Sequence, residues 1–243
     1  MKILVVIPAY NEAENIASVI AEIRQIDPSL DILAVDDGSA DDTAQRARAA
    51  GAKVLSLPFN LGYGGAVQTG MSFAYEKNYD ICVLTDGDGQ HDPKYIPSLV
   101  APVKAGEADM SLGSRFLGKA EYAIPWLRRI GMSLFSKITS WITGQHITDP
   151  TSGFQAISRD LVKFFLNDNY PVDFPDADTL IRLYFAGFRI KEMPVHIRAR
   201  QKGVSMHGGS RVFYYIYKMF FSIFIALTQK SALRKEGRHA LDH

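Results

Sequence analysis

The sequence predicts an α/β protein built on a doubly wound, mostly parallel sheet, with an amphipathic helical extension at its C-terminus. Three observations carry this. Strand-like and helix-like signals alternate through the first half of the chain. Polar clusters stand where successive apolar runs end, as they do at the ligand-binding edge of such sheets. The 243 residues, 47% hydrophobic and 22% charged, suffice for one domain with a sizeable core.

The first strand is expected over Ile3–Ile7. Ile16, Val19, Ile20, Ile23 and Ile26 then recur at helical spacing until Asp27-Pro28 stops the helix. A second strand, Ile32–Val35, ends in Asp36-Asp37-Gly38-Ser39. Ser39 with Asp42 resembles a capping box opening an alanine-rich helix that Gly51 closes. A third strand, Val54–Leu57, leads to the glycine-rich turn Asn60-Leu61-Gly62-Tyr63-Gly64-Gly65 and a helix to about Lys77. The fourth, Ile81–Leu84, is wholly apolar and fits a strand buried on both faces.

Beyond it the pattern loosens. Ala108–Gly113 is strand-like and ends at Ser114-Arg115. Residues 126–142 form an amphipathic helix, Pro175–Ala186 a further helix, and Arg189–Val195 a strand. Residues 212–229 are strongly aromatic, with Phe213, Tyr217, Phe220 and Phe224 at helical spacing. Arg211 precedes this run, and Lys230, Arg234, Lys235 and Arg238 follow it. An aromatic helix edged by basic residues suits a membrane interface, lying in it rather than across it. Packing on the domain core or on a partner subunit is the alternative. The expected division is residues 1–210 as one domain and 211–243 as the extension.

A formal net charge of +1 gives no footprint for nucleic acid. The single cysteine, Cys82, excludes a disulfide framework and suits a reducing compartment. The N-terminus has too short an apolar run for a signal peptide. No stretch reaches the length of uncharged apolar residues that a transmembrane helix needs.

The chemistry concentrates in Thr85-Asp86-Gly87-Asp88-Gly89-Gln90-His91-Asp92. Asp86 and Asp88 lie one residue apart at a strand end, so both carboxylates can face one spot. Hard oxygen ligands there suit Mg²⁺ or Mn²⁺ holding a substrate's phosphates. Neither G-x-G-x-x-G after the first strand nor G-x-x-x-x-G-K-[ST] anywhere is present, so phosphate neutralisation falls to a metal and arginines. His91, followed by Asp92-Pro93, is expected to be structural.

Five motifs occur in order: Ile-Pro-Ala-Tyr-Asn-Glu (7–12), Val-Asp-Asp-Gly-Ser (35–39), the carboxylate strand, Gly-Ser-Arg-Phe (113–116) and Asp-Pro-Thr-Ser-Gly-Phe (149–154). Together they resemble the family 2 glycosyltransferases with the Rossmann-like GT-A fold, in the branch of dolichyl- and polyprenyl-phosphate sugar synthases. The resemblance spans about residues 2–206.

It implies an enzyme that moves a sugar from a nucleotide-diphosphate sugar to a polyprenyl phosphate, with Mg²⁺ or Mn²⁺ and inversion at the anomeric carbon. Pro8, Tyr10, Glu12, Val35 and Asp37 would surround the base and ribose. Asp86, Gly87 and Asp88 would meet the diphosphate and metal, with Gln90 as a further ligand. Arg115 would meet a phosphate, and Arg129 with Ser133 would face the acceptor phosphate, which Asp149 helps to organise. Asp88, Arg115 and Arg129 are thus the expected catalytic residues. Arg200, opening Arg-Gln-Lys-Gly-Val-Ser, would close over the donor. Met206 stands where these synthases usually carry lysine, and Asp-Gly-Asp-Gly-Gln replaces their more usual Asp-Ala-Asp-Leu-Gln, which should loosen that loop.

The resemblance further implies a peripheral enzyme on the cytoplasmic face of a membrane, acting beside a membrane surface or a small membrane protein, with self-association open. Two other readings stand beside it. One is a glycosyltransferase acting on a saccharide or lipid-linked hydroxyl, with Asp176 or Asp178 as base. The other is a non-catalytic nucleotide-sugar-binding partner of a membrane protein.

Overall fold

A computed structural model describes residues 1–117, 126–170, 177–198 and 211–241. Its elements follow in chain order: β1 (Ile3–Ala9), α1 (Ile16–Ile26), β2 (Asp31–Asp36), α2 (Thr43–Ala49), β3 (Lys53–Ser56), α3 (Tyr63–Glu76) and β4 (Ile81–Leu84). A short 3₁₀ turn, Pro93–Tyr95, precedes α4 (Ile96–Lys104). Then come β5 (Met110–Ser114), α5 (Trp126–Thr143), β6 (Gln155–Ser158), α6 (Arg159–Phe164), α7 (Ala177–Ala186), β7 (Ile190–Pro194), α8 (Arg211–Thr228) and α9 (Lys230–Leu241).

The seven strands form one sheet in the order β3-β2-β1-β4-β6-β5-β7. β1 pairs in parallel with β2 and β4, as do β2 with β3 and β5 with β7. β6 runs antiparallel between β4 and β5. The sheet is therefore mostly parallel, as expected, with one reversed strand inside it.

Side chains alternate across the sheet because strand residues alternate faces. Leu4, Val6, Leu33, Val35, Cys82 and Leu84 join a core with residues of α3, α6, α7, α8 and α9. Val5, Ile7, Ile32, Ala34, Ile81 and Val83 join a second core with α1 and α4. The expected helix stripe on α1 is the buried one: Ile16, Val19, Ile20 and Ile23.

Several elements depart from the sequence reading, among them α4, where no helix was expected. β6 and α6 were not foreseen; Ser158 ends the strand and caps the helix at once, its side chain accepting from the Leu161 N–H. No turn residue separates the two, so the usual punctuation is missing. Ser39 and Asp42 do not form a capping box, and α2 starts only at Thr43, whose N–H and hydroxyl both bond Asp41 Oδ1. Ser39 Oγ instead accepts from the Asn11 N–H at 2.9 Å, and Asn11 Oδ1 accepts from the Ala40 N–H at 2.9 Å. These bonds stitch the loop after β1 to the loop after β2.

Candidate active site at the strand ends

The carboxyl ends of β1, β2, β4 and β5 lie along one edge, and the reversed β6 brings its N-terminal end to the same edge. Leu84 of β4 and Leu112 of β5 both pair with Gln155 at the start of β6. Every motif of the sequence reading up to residue 154 therefore arrives at one crevice. Pro8 and Val35 stand in register there, both buried. Tyr10 is exposed just beyond β1, and Glu12 is half-buried.

The contacts between these ends are close. A side-chain carbon placed on Gly87 would sit 3.5 Å from the Pro8 carbonyl oxygen and 3.6 Å from Glu12 Cγ. One on Gly153 would meet the Tyr63 hydroxyl at 3.0 Å and the two Asp86 carboxylate oxygens at 3.7 and 3.8 Å. The glycine of Asp-Pro-Thr-Ser-Gly-Phe thus admits Tyr63 and Asp86 to the same small space.

Asp86 and Asp88 are both partly accessible at the end of β4. The turn between Asp88 and Gln90 is closed by the Gln90 N–H, which donates to Asp88 Oδ1 at 3.0 Å. Gly89 there has φ +76°, a left-handed conformation that favours glycine over a leucine at that place. The Asp-Gly-Asp-Gly-Gln variant therefore puts its second glycine inside the turn that the Gln90–Asp88 bond closes.

Gln90 Nε2 donates to the Arg198 carbonyl at 3.3 Å, and the Arg198 N–H donates to the Gln90 carbonyl at 2.9 Å. The amide's donor end is thus occupied, which leaves its carbonyl oxygen as the end suited to a cation. Two carboxylates and a neutral oxygen are a fitting donor set for Mg²⁺ or Mn²⁺, which take a few protein oxygens and complete their shells with water and substrate phosphate. Among the described residues no group of three His, Cys, Asp or Glu side chains could hold a metal alone, so substrate oxygens would have to complete the site.

Two residues beside Asp86 went unforeseen as parts of the site. His91 is buried, its ring stacked on Phe154 with centroids 4.7 Å apart and planes 7° apart. Its Nδ1 accepts the Asp86 N–H at 3.1 Å, and its Nε2 lies 3.6 Å from Asp86 Oδ2. Burial pushes its pKa down to about 4, against the pull of Asp88. Tyr63, at the start of α3, has its buried hydroxyl beside Asp86; burial first, and the Asp86 charge next, hold that hydroxyl well above the usual tyrosine range. The position of His91 within the acidic motif was a signal for it, whereas nothing local in the glycine-rich turn pointed to Tyr63.

Asp37 is buried, and its two carboxylate oxygens accept the N–H groups of Leu61 and Gly62 at 2.7 and 2.9 Å. It anchors the glycine-rich turn that leads to Tyr63. Desolvation raises its pKa, against those two bonds.

Arg115 and Asp149 form one buried unit. Arg115 Nε and Nη2 donate to Asp149 Oδ2 and Oδ1, both at 2.6 Å, and Nη2 also reaches Thr151 Oγ1 at 2.8 Å. The Arg115 N–H adds a third bond to Asp149 at 3.0 Å. Behind them Glu192 accepts the N–H groups of Thr148 and Asp149 at 2.8 and 2.7 Å, and burial raises its pKa. Asp149 thus fixes the guanidinium beside the crevice.

Helix α5, which carries Arg129 and Ser133, packs against α7, and Ser136 Oγ ties it to the same loop by donating to the Ile147 carbonyl at 2.6 Å. Ser133 is exposed on α5. Arg129 lies in the first turns of α5, with its side chain outside the described residues. Arg200 and the rest of 199–210, and Asp176, also lie outside them. The chain is nonetheless led to the site just before that segment: Ile197 bridges His91, and Arg198 pairs with Asp92 and Glu22 at 3.0 and 2.6 Å. Asp178 lies in the first turn of α7, where burial raises its pKa.

The profile of Glycosyl transferase family 2 matches residues 4–165, from β1 through the crevice to α6. The chain belongs to glycosyltransferase family 2. It is 30% identical over 220 residues to the polyprenol monophosphomannose synthase of Mycolicibacterium smegmatis, covering 86% of this chain and 82% of that one. It is 31% identical over 228 residues to the undecaprenyl-phosphate mannosyltransferase of Micrococcus luteus, covering 86% and 89%. The glucosyl-3-phosphoglycerate synthase of Mycobacterium tuberculosis, solved with Mn²⁺, UDP and phosphoglyceric acid, superposes with a TM-score of 0.67 at 23% identity, over 94% of this chain and 78% of that one. This family 2 enzyme therefore has the GT-A fold and is a glycosyltransferase.

Proposed function

We propose that this glycosyltransferase moves a sugar from a nucleotide-diphosphate sugar to a polyprenyl phosphate, with inversion and with a divalent cation. The observation that carries the reading is the convergence of the Asp86–Asp88–Gln90 turn and the Arg115–Asp149 unit on one sheet edge. The likeness to two polyprenyl-phosphate mannosyltransferases supports the acceptor class.

Asp86, Asp88 and Gln90 would hold Mg²⁺ or Mn²⁺, which when bound offsets the charge developing on the departing nucleoside diphosphate. Pro8, Tyr10, Glu12, Val35 and Asp37 line the donor side, Asp37 acting through the turn that it anchors. Gly87 lets the donor approach the backbone. Arg115, held rigid by Asp149, presents a fixed positive charge to phosphate at little entropic cost. Arg129 and Ser133 face the acceptor, and Arg200 closes over the donor. A phosphate oxygen of the acceptor attacks the anomeric carbon. The bond to the diphosphate oxygen breaks on the opposite face, and the diphosphate keeps the electron pair. The acceptor is already ionised near neutral pH and needs no base.

Residues 1–210 form the catalytic domain in this reading. Residues 211–243 form an extension on the cytoplasmic face of a membrane, where the lipid acceptor resides. Phe220, Phe221, Phe224 and Leu227 of α8 are exposed and support this role. No helix among the described residues is long and apolar enough to cross a membrane.

The test is a panel of nucleotide sugars incubated with the protein, Mg²⁺ or Mn²⁺, and either a short polyprenyl phosphate or the matching polyprenol. Lipid-linked sugar on the phosphate alone is the expected result. Equal transfer to the polyprenol would favour a hydroxyl acceptor and a base such as Asp178. No transfer or donor hydrolysis under any condition would leave a binding role.

A further inference from the structure

We propose that His91 is a positioning residue whose imidazole fixes the Asp86 carboxylate for the divalent cation. The inference rests on the metal reading above and adds to it a residue outside the ligand set.

The hydrogen bonds set the tautomer. Nδ1 accepts the Asp86 N–H at 3.1 Å, so that nitrogen carries no proton. The ring proton of the neutral imidazole is therefore on Nε2. That nitrogen faces Asp86 Oδ2 at 3.6 Å, longer than a formed hydrogen bond and short enough to close with a small movement of the carboxylate. One ring thus holds the backbone and faces the side chain of the same residue. Its own orientation is fixed by burial and by stacking on Phe154.

Phe154 ends the Asp-Pro-Thr-Ser-Gly-Phe motif, and Gly153 beside it is the residue that admits Tyr63 next to Asp86. The Asp86 carboxylate is consequently flanked on two sides, by His91 and by the Tyr63 hydroxyl. Partners of this kind set which lone pairs a ligand offers, and their loss weakens metal binding although every ligand remains.

The test measures Mn²⁺ binding by electron paramagnetic resonance, with GDP and UDP in separate arms, alongside thermal melting. His91→Phe keeps the ring stack on Phe154 and removes both nitrogens. It should bind Mn²⁺ about 10–100-fold more weakly. His91→Gln restores an N–H donor near the Nε2 position and should recover most of that loss. Wild-type affinity in His91→Phe would overturn the inference, as would a Gln variant as weak as the Phe variant. Nitrogen-15 NMR of the wild-type protein provides a test that no variant's folding can spoil: His91 should be the Nε2–H tautomer, and an Nδ1–H form overturns the proposal. Asp88→Ala separates the two levels. If the wild type binds no Mn²⁺, or Asp88→Ala binds it undiminished, the metal reading falls and this inference with it. If Asp88→Ala loses Mn²⁺ while His91→Phe keeps it, only the inference falls.

Discussion

Arg115 and Asp149 illustrate what a sequence motif conveys and what it withholds. Both residues were legible as site candidates from Gly-Ser-Arg-Phe and Asp-Pro-Thr-Ser-Gly-Phe. Their pairing was not, because the motifs lie more than thirty residues apart and only the insertion of β6 beside β5 brings them together. Asp149 is fully buried, so removing it strands a guanidinium that is itself mostly enclosed. Asp149→Ala should cost about 3–5 kcal/mol in urea unfolding, as expected when one partner of a buried pair is lost. His91 offers a second residue-scale prediction, for the protein without added metal. Its folded pKa, about 4, lies below its unfolded value of 6.5. The unfolded chain therefore binds the proton first, so stability present above pH 6.5 falls as the pH drops toward about 4. His91→Phe should flatten that part of the stability-against-pH curve; an unchanged curve would count against a buried neutral imidazole.

Among elements, the helices and strands with full-length apolar patterns were legible. α1, α3, α5, α7, α8 and the first four strands all fall close to their expected spans. The failures at β6 and α6 share a cause. β6 has four residues and passes directly into α6, so neither reaches the length at which periodicity speaks. α9 reads as a basic tail because its packed face is made of small or widely spaced residues. Leu233 and Ala240 are buried, and Gly237 lies so close to α7 that a side-chain carbon there would overlap the Ala186 carbonyl oxygen, at 1.9 Å. Gly237→Val should therefore displace α9, with a loss of about 1–3 kcal/mol as for other overpacked contacts. Limited proteolysis should cut within 229–241 in that variant sooner than in the wild type. Equal protection would show that α7 and α9 can separate without cost.

At the scale of the whole molecule, α8 divides its apolar residues between two tasks. Met219, Ile223 and Ala226 are buried in the core, while Phe220, Phe221, Phe224 and Leu227 are exposed, Phe224 to 62%. The expected stripe through Phe220 and Phe224 is therefore the outward one. Phe220 also touches Phe135 of α5 at 5.6 Å between centroids, and α5 exposes Leu134 and, to 85%, Trp141. Aromatic side chains from two helices thus lie outside the core, and one of the two is α5, the helix of Arg129 and Ser133. Basic residues accompany them: Lys137 on α5 and Lys230, Arg234 and Lys235 on α9 are all exposed. Apolar and cationic groups combined in this way favour the interface of an anionic bilayer. The full-length protein should sediment with vesicles containing anionic lipid, and less so with neutral ones or at high salt. Replacing Phe220 and Phe224 by serine should lower partitioning by about tenfold or more, since each phenylalanine is worth roughly 1.5–3 kcal/mol when taken out of water. Transfer to a short, water-soluble polyprenyl phosphate should be spared in that variant, and transfer to a long-chain acceptor in vesicles should fall with partitioning. Undiminished vesicle binding by the double variant would place the membrane contact elsewhere; equal losses on both acceptors would tie these phenylalanines to the active site itself.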